Sequence, residues 1–349
     1  MLNRLGRSVY LSSINEDMPP DFISGGMPVF LSLHIPEDYG DTFCQKAQRV
    51  CDTLYQQGCQ IMADFSKHSL EVFGADDLPS LADRLHVYMA RIDYGFSIRE
   101  IADIAARMPV CLNAGTLNHE EAVFLAAAGD MICAMHNFYP RPETGLDADR
   151  YLDKTKMLQD MGLSVAAFIP GTVKRGPVYE GLPTIEEHRY IHPYISWAEL
   201  VLKYHTDLVY VGDPGLDSHT INLINKTAET GILEIPCELH SLYRNLYGCV
   251  FTNRADAPAH LIRMADSRTD YSLTKEQAVP YNTIARSVGS ITVDNELYLR
   301  YKGEMQITLK DFSADSKVNV IGHVSDAFMK LLQLVEPRMR FKLVSQDET

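Results

Sequence analysis

Eight short apolar runs alternate with stretches of helical period along the first 230 residues, and no other feature of the sequence narrows the possible folds so far. The runs cover 8–12 (SVYLS), 29–33 (VFLSL), 60–65 (QIMADF), 86–93 (HVYMARID), 110–113 (VCLN), 131–137 (MICAMHN), 164–169 (SVAAFI) and 208–213 (LVYVGD). This is the pattern of repeated βα units, and eight of them in about 215 residues suit a closed (β/α)8 TIM barrel better than an open sheet. Helix start signals fall between the runs. Ser97 precedes Glu100 by three residues, Asn118 precedes Glu121, and Thr184 precedes Glu187, each spacing fit to satisfy free N–H groups at a helix start. After Asp41, residues Phe43, Ala47, Val50, Cys51 and Leu54 recur at helical spacing and predict an apolar face packed outside the barrel.

Beyond residue 230 the pattern changes. LEIPCEL, CVFTNR, SITVDNELYLRYKGEMQITL and KVNVIGHV read as short alternating strands, with a hairpin expected at Tyr301–Glu304 where Gly303 supplies a positive φ. The sequence therefore predicts an α/β chain in two parts, a TIM-barrel catalytic domain at 1–230 and a small all-β domain at 231–349.

Charge narrows the partners. Asp and Glu number 46 against 32 Lys and Arg, a net charge of −14 that repels a phosphate backbone and argues against nucleic acid. A few arginines in one cleft still suffice to bind a small anion, because distant surface charge is screened within about 8–10 Å. The seven cysteines are odd in number and form no C-x-x-C pair, which fits reduced thiols in a cytosol. The opening MLNRLGRSVYLSS lacks a signal-peptide apolar stretch and no run of about 18 apolar residues occurs, so a cytoplasmic protein with no membrane partner is expected.

In a barrel of this kind the chemistry sits where the strands end. Those ends carry Asp64, Asp93 and Asp213, with Glu143 and Glu180 on the following loops, and facing acids repel one another unless protons or cations intervene. Glycoside hydrolysis needs two such groups, a protonated acid for the leaving oxygen and an ionised nucleophile or base, about 5–9.5 Å apart. Taken singly, each acid reads equally well as a helix cap or a salt-bridge partner. Asn113, His136 and Asn137 close the fifth and sixth runs, and His136 reads equally as a hydrogen-bonded barrel residue. Arg141, Lys174 and Arg175 bring cations to the same mouth, where a guanidinium can hold a phosphate or carboxylate through two bonds. Solvated surface charge is the alternative, chiefly for Lys174. No metal is expected, since the first run offers no H-x-H and the histidines are scattered. No organic cofactor is expected either. Lys67 lies three residues past Asp64 in a predicted loop, poorly placed for a Schiff base, and no dinucleotide or P-loop fingerprint is present.

Several strings together resemble the MupG-type 6-phospho-N-acetylmuramidases of bacteria: LGRSVYLS, ADFSKHSLEVFG, RIDYGFS, MHNFYPRPETGL, RGPVYEGLPTIEEHR, VYVGDPG and RSVGSITVDNELYLRYKGEMQI. The resemblance runs along nearly the whole chain. It implies a TIM barrel followed by a cyclophilin-like domain, and hydrolysis of N-acetylmuramic acid 6-phosphate linked β-1,4 to N-acetylglucosamine in cell-wall (peptidoglycan) recycling. Such a substrate carries a phosphate and a lactyl carboxylate, which gives Arg141, Arg175 and Arg286, the last in the Arg-Ser-Val-Gly-Ser stretch, a task as substrate contacts. The resemblance assigns no acid or nucleophile. The order expected from strand-end depth is Asp64 and Asp213, then Asp93 and Glu180, with Glu143, His136, Asn137 and Asn113 as substrate contacts. Two alternatives stand beside this reading, a non-catalytic sensor of an anionic sugar and a glycosidase for another 6-phospho-glycoside. Stereochemical outcome, leaving sugar and any homo-oligomer stay open.

Overall fold

A computed structural model describes residues 5–13, 26–33, 42–129 and 131–346. The chain divides into two compact units between Ser218 and His219. In the first, β1 (Leu5–Tyr10), β2 (Pro28–Ser32), β3 (Gln60–Phe65), β4 (Val87–Ile92), β5 (Val110–Asn113), β6 (Ile132–Met135), β7 (Ser164–Ile169) and β8 (Leu208–Val211) pair in chain order, all parallel, and β8 closes onto β1. This is the expected (β/α)8 barrel.

Strand alternation sorts the apolar residues into two cores. Phe30, Met62, Met89, Cys111, Cys133, Met135, Phe168 and Tyr210 point inward and fill the barrel. Their neighbours Val29, Leu31, Ile61, Ala63, Leu112 and Val165 point outward and pack with the helices, including Phe43, Ala47, Cys51 and Leu54 of α1 (Phe43–Gln56). The barrel axis also needs Gly6: a Cβ there would stand 2.4 Å from the Tyr210 ring.

Two short helices, α2 (Lys67–Phe73) and α3 (Leu78–Arg84), follow β3. Lys67 thus opens a helix where a loop was expected, and its ammonium pairs with Glu100 at 2.8 Å with more than half of the side chain exposed. Ahead of α4 (Ile98–Ala105) and α5 (His119–Ala126) the capping boxes of Ser97 with Glu100 and Asn118 with Glu121 both form. The remaining barrel helices of this unit are α6 (Ala148–Asp160) and α7 (Pro193–Ala198).

The second unit follows the start of α8 (Ser218–Thr230) and is mostly strand. Its strands are β9 (Leu233–Leu239), β10 (Val250–Thr252), β11 (Leu261–Arg263), β12 (Ser290–Asp294), β13 (Met305–Thr308), β14 (Val318–Val324) and β15 (Arg340–Ser345). They form one sheet in the order β10-β15-β9-β14-β12-β13-β11, antiparallel except for β15 with β9. The expected hairpin joins β12 to β13, and Gly303 has φ 87° and donates its N–H to the Asp294 carbonyl. Its loop is longer than expected, because Glu296–Tyr301 coils into 3-10 turns instead of extending. All seven cysteines are free thiols. Among the described residues no helix is long and apolar enough to cross a membrane.

Candidate active site

The barrel filling changes character at the C-terminal ends of the strands. The inward positions that follow Phe30, Met62, Met89 and Met135 are Ser32, Asp64, Arg91 and Asn137, so an apolar plug is capped by a polar layer. Above it lies a cavity of about 200 Å³ lined by Ser32, Asp64, Arg91, Asp93 and Asn137 together with Phe30, Phe138 and Phe168. The rings pack edge to face, Phe30 on Phe168 at 5.5 Å and Phe138 on Phe168 at 5.1 Å, which fixes the apolar wall.

Asp64 is 6% exposed. Its Oδ1 accepts the Leu33 N–H at 2.6 Å and its Oδ2 accepts from Ser32 Oγ at 3.3 Å. Both bonds favour the ionised carboxylate. Arg91 is the register neighbour of Asp64 on β4, and it donates from Nη2 to Asn137 Oδ1 at 2.7 Å. Asp93 stands 3.9 Å from the same Nη2. Two expected catalytic carboxylates, Asp64 and Asp93, therefore line one cavity with a cation beside them.

The other two expected catalytic acids lie elsewhere at the mouth. Asp213 is 1% exposed, and both oxygens are engaged by backbone: Oδ2 by Gly171 N (2.8 Å) and Leu182 N (3.0 Å), Oδ1 by Arg175 N (2.9 Å). This carboxylate pins the loop after β7 to the end of β8. Asp213→Asn turns an NH2 group towards those N–H donors, so a loss of about 2–4 kcal/mol is expected. Urea unfolding should show it, together with faster proteolysis within 170–182; an unchanged midpoint would refute the pinning role. Glu180 accepts from the Tyr190 hydroxyl at 3.1 Å on the same loop.

The cations arrange themselves around that loop. The Arg175 guanidinium lies 3.9 Å over the Tyr10 ring, whose hydroxyl donates to the Gly212 carbonyl and is pushed up in pKa by burial. Burial pulls the Lys174 ammonium below the usual lysine range, with Asp213 and Glu180 acting against it. Arg141 is exposed, and its carbonyl accepts from Arg189 Nη2 and Thr144 Oγ1.

Arg189 and Glu186, which carry no role in the sequence reading, organise these loops. Arg189 is buried, bonds Glu186 through Nε and Nη2 at 2.6 Å each, and donates to the carbonyls of Tyr139, Gly181 and Arg141. Glu186 also accepts the N–H groups of Glu143 and Gly145. The pair thus ties the loop after β6 to the loop after β7. Thr184 forms no capping box with Glu187; its Oγ1 accepts the Phe168 N–H and donates to the Asn137 carbonyl, bridging the ends of β7 and β6.

Several expected substrate contacts fall outside the cavity. His136 turns away from it, against Tyr151, with Nε2 3.1 Å from Thr155 Oγ1 of α6. Burial, aided by Lys154, holds its pKa down to about 3, so the imidazole is neutral. The physical reason is the two-residue period of the strand, which sends 135 and 137 inward and 136 outward. Asn113 closes a local turn by accepting the Gly115 N–H. Glu143 sits at φ 69° on an exposed turn. Arg286 belongs to the second unit, where its guanidinium lies over Phe312 and donates to the Ser313 carbonyl. Ser32, Arg91, Phe138 and Phe168 are cavity residues that the sequence reading did not select. Alternation counted back from Asp93 would have found Arg91. Among the described residues no group of three or more His, Cys, Asp or Glu side chains converges as a metal ion would need.

Residues 5–226 match the family model described as 6-phospho-N-acetylmuramidase, N-terminal, and residues 233–344 match its C-terminal counterpart. Among solved structures the chain is similar to a conserved Enterococcus faecalis protein of unknown function, at 31% identity over 98% of this chain and 96% of that one with a TM-score of 0.82. It is similar in fold to an uncharacterized Bacillus cereus protein at 20% identity, over 99% of this chain and all of that one, with a TM-score of 0.79. No curated protein sequence matches.

Proposed function

The chain belongs to the 6-phospho-N-acetylmuramidase family, a family of glycosidases, and on that premise we propose that it hydrolyses the β-1,4 bond between N-acetylmuramic acid 6-phosphate and N-acetylglucosamine in the cytoplasm during cell-wall recycling. The observation that carries this reading is the pair of carboxylates, Asp64 and Asp93, in one cavity at the C-terminal mouth of the barrel.

The surroundings of Asp64 suggest its role, and the other role falls to the second carboxylate. Asp64, buried and accepting from Leu33 N and Ser32 Oγ, is the ionised group that attacks the anomeric carbon or activates water. Asp93, the second carboxylate of the cavity, gives its proton to the leaving oxygen. Phe30, Phe138 and Phe168 present an apolar wall to the sugar ring and exclude water from it. Asn137 orients Arg91, and Asp213 positions the loop that carries Lys174 and Arg175 for the phosphate. The division into a catalytic module at 1–230 and a β-rich module at 231–349 is supported by the two matched stretches.

The test is incubation of the purified protein with the phosphorylated disaccharide and with its unphosphorylated form, following sugar release by mass spectrometry with and without chelator. Release from the phosphorylated form that persists in chelator is expected. Tight binding of the phosphosugar without any release would overturn the reading in favour of a sensor. Release from a different 6-phospho-glycoside alone would move the substrate but keep the chemistry.

A further inference from the structure

We propose that Arg91 recognises a singly charged carboxylate on the sugar seated in the barrel cavity, and so sets the preference for a carboxylated over an uncarboxylated phospho-glycoside. The inference rests on the glycosidase reading above and adds the group that selects the substrate.

Arg91 is only 7% exposed and lines the cavity. A guanidinium offers five N–H donors in a rigid plane, and a buried one is normally matched by acceptors on all of them. Here Nη2 meets the neutral amide oxygen of Asn137 at 2.7 Å, and Asp93 Oδ1 stands 3.9 Å from it. Nε is buried with no hydrogen-bond partner among the described residues. A buried cation with an orphaned donor, held in orientation by an amide and facing a cavity, is set up to receive an acceptor from a ligand.

Charge decides which acceptor. With Asp64 ionised and Asp93 holding the proton meant for the leaving oxygen, the charge of Arg91 is already balanced by Asp64 before substrate enters. A phosphate monoester, at about −1.5 to −2, brings more unbalanced charge there than a carboxylate at −1. A carboxylate also fits the planar guanidinium edge, while Lys174 and Arg175 on the loop after β7 remain for the phosphate.

The experiment compares two fluorogenic β-glycosides, of 6-phospho-N-acetylmuramic acid and of 6-phospho-N-acetylglucosamine, which differ only in the 3-O-lactyl group that carries the carboxylate. Wild type, Arg91→Lys and Arg91→Met are assayed on both. The ratio of kcat/KM values for carboxylated over uncarboxylated glycoside is expected to fall by about 10- to 100-fold in both variants, mainly through KM, since Lys supplies charge without the planar fork. Equal losses on the two glycosides would overturn the proposal and place Arg91 in the shared chemistry. Wild-type protein that cleaves neither glycoside would sink the glycosidase reading instead. Calorimetric binding of N-acetylmuramic acid 6-phosphate and N-acetylglucosamine 6-phosphate then reads Arg91 directly, and equal affinities in wild type and variants would refute its role. If neither Arg91 variant folds, Asn137→Ser, which releases Nη2, takes its place; an unchanged preference there also counts against the proposal.

Discussion

Asp64→Asn is expected to lower kcat by about 10³-fold or more while leaving the fold intact. Asparagine keeps an oxygen for the Leu33 N–H, and its NH2 group can donate to Ser32 Oγ, so these two contacts have replacements. What disappears is the negative charge that the proposed mechanism sets beside the anomeric carbon. Asp93→Asn provides the comparison, because a proton donor matters least when the leaving group needs no proton. On a nitrophenyl glycoside Asp93→Asn should recover most of its loss, whereas Asp64→Asn should recover little. Assays of both variants on the disaccharide and on the nitrophenyl substrate, with thermal melts as a folding check, decide the matter. The opposite pattern would exchange the two roles, and undiminished turnover in Asp64→Asn would remove the carboxylate from the chemistry.

Arg189→Met should be the most destabilising single change at the mouth. It leaves Glu186 without its counter-ion and takes one donor each from the carbonyls of Tyr139, Gly181 and Arg141, a loss of about 3–5 kcal/mol. For a unit of this size that corresponds to a fall in Tm on the order of 10 °C, readable by calorimetry. Arg189→Lys should not rescue it, since an ammonium cannot reproduce the bidentate bond and the three carbonyl bonds together. The same pair predicts an acid limb. The Arg189 bonds, followed by the Glu143 and Gly145 N–H groups, hold Glu186 down to about 2 from 4.5. Its folded pKa lies below the unfolded value, so its stabilising contribution is complete above pH 4.5 and is lost as pH falls towards 2. Glu186→Gln should therefore be less stable than wild type at neutral pH and should flatten the stability profile across that window. A profile with the wild-type slope would refute the assignment.

Much of the site's address was legible in the chain, and much of its membership was not. The strand runs placed Asp64, Asp93, Asn137 and Asp213 at the barrel mouth, because strand ends in a βα repeat follow from local pattern alone. Two of the three capping boxes formed as spaced, since Ser97 and Asn118 need only their own helices. Thr184 has the same spacing, yet its hydroxyl serves β6 and β7, because those strand ends present better partners.

Asp213 shows where local reading stops. Its three backbone donors, at Gly171, Arg175 and Leu182, lie 42, 38 and 31 residues away in the chain, and only closure of β7 onto β8 brings them round one carboxylate. A deep strand-end acid is a catalyst if its oxygens face a cavity and an anchor if they face amides, and the residue type is the same in both. His136 and Arg91 differ by a half-period of strand rotation, which carries one behind the wall and the other into the floor. The periodicity of the sequence by itself determined an eight-stranded barrel with an acid-rich mouth and a β-rich module after it, because burial of apolar runs is a local, additive demand on each segment. Which acids share a cavity, which arginine stands between them and which loops are pinned were decided by tertiary structure, because those pairings join distant segments whose meeting depends on register and closure.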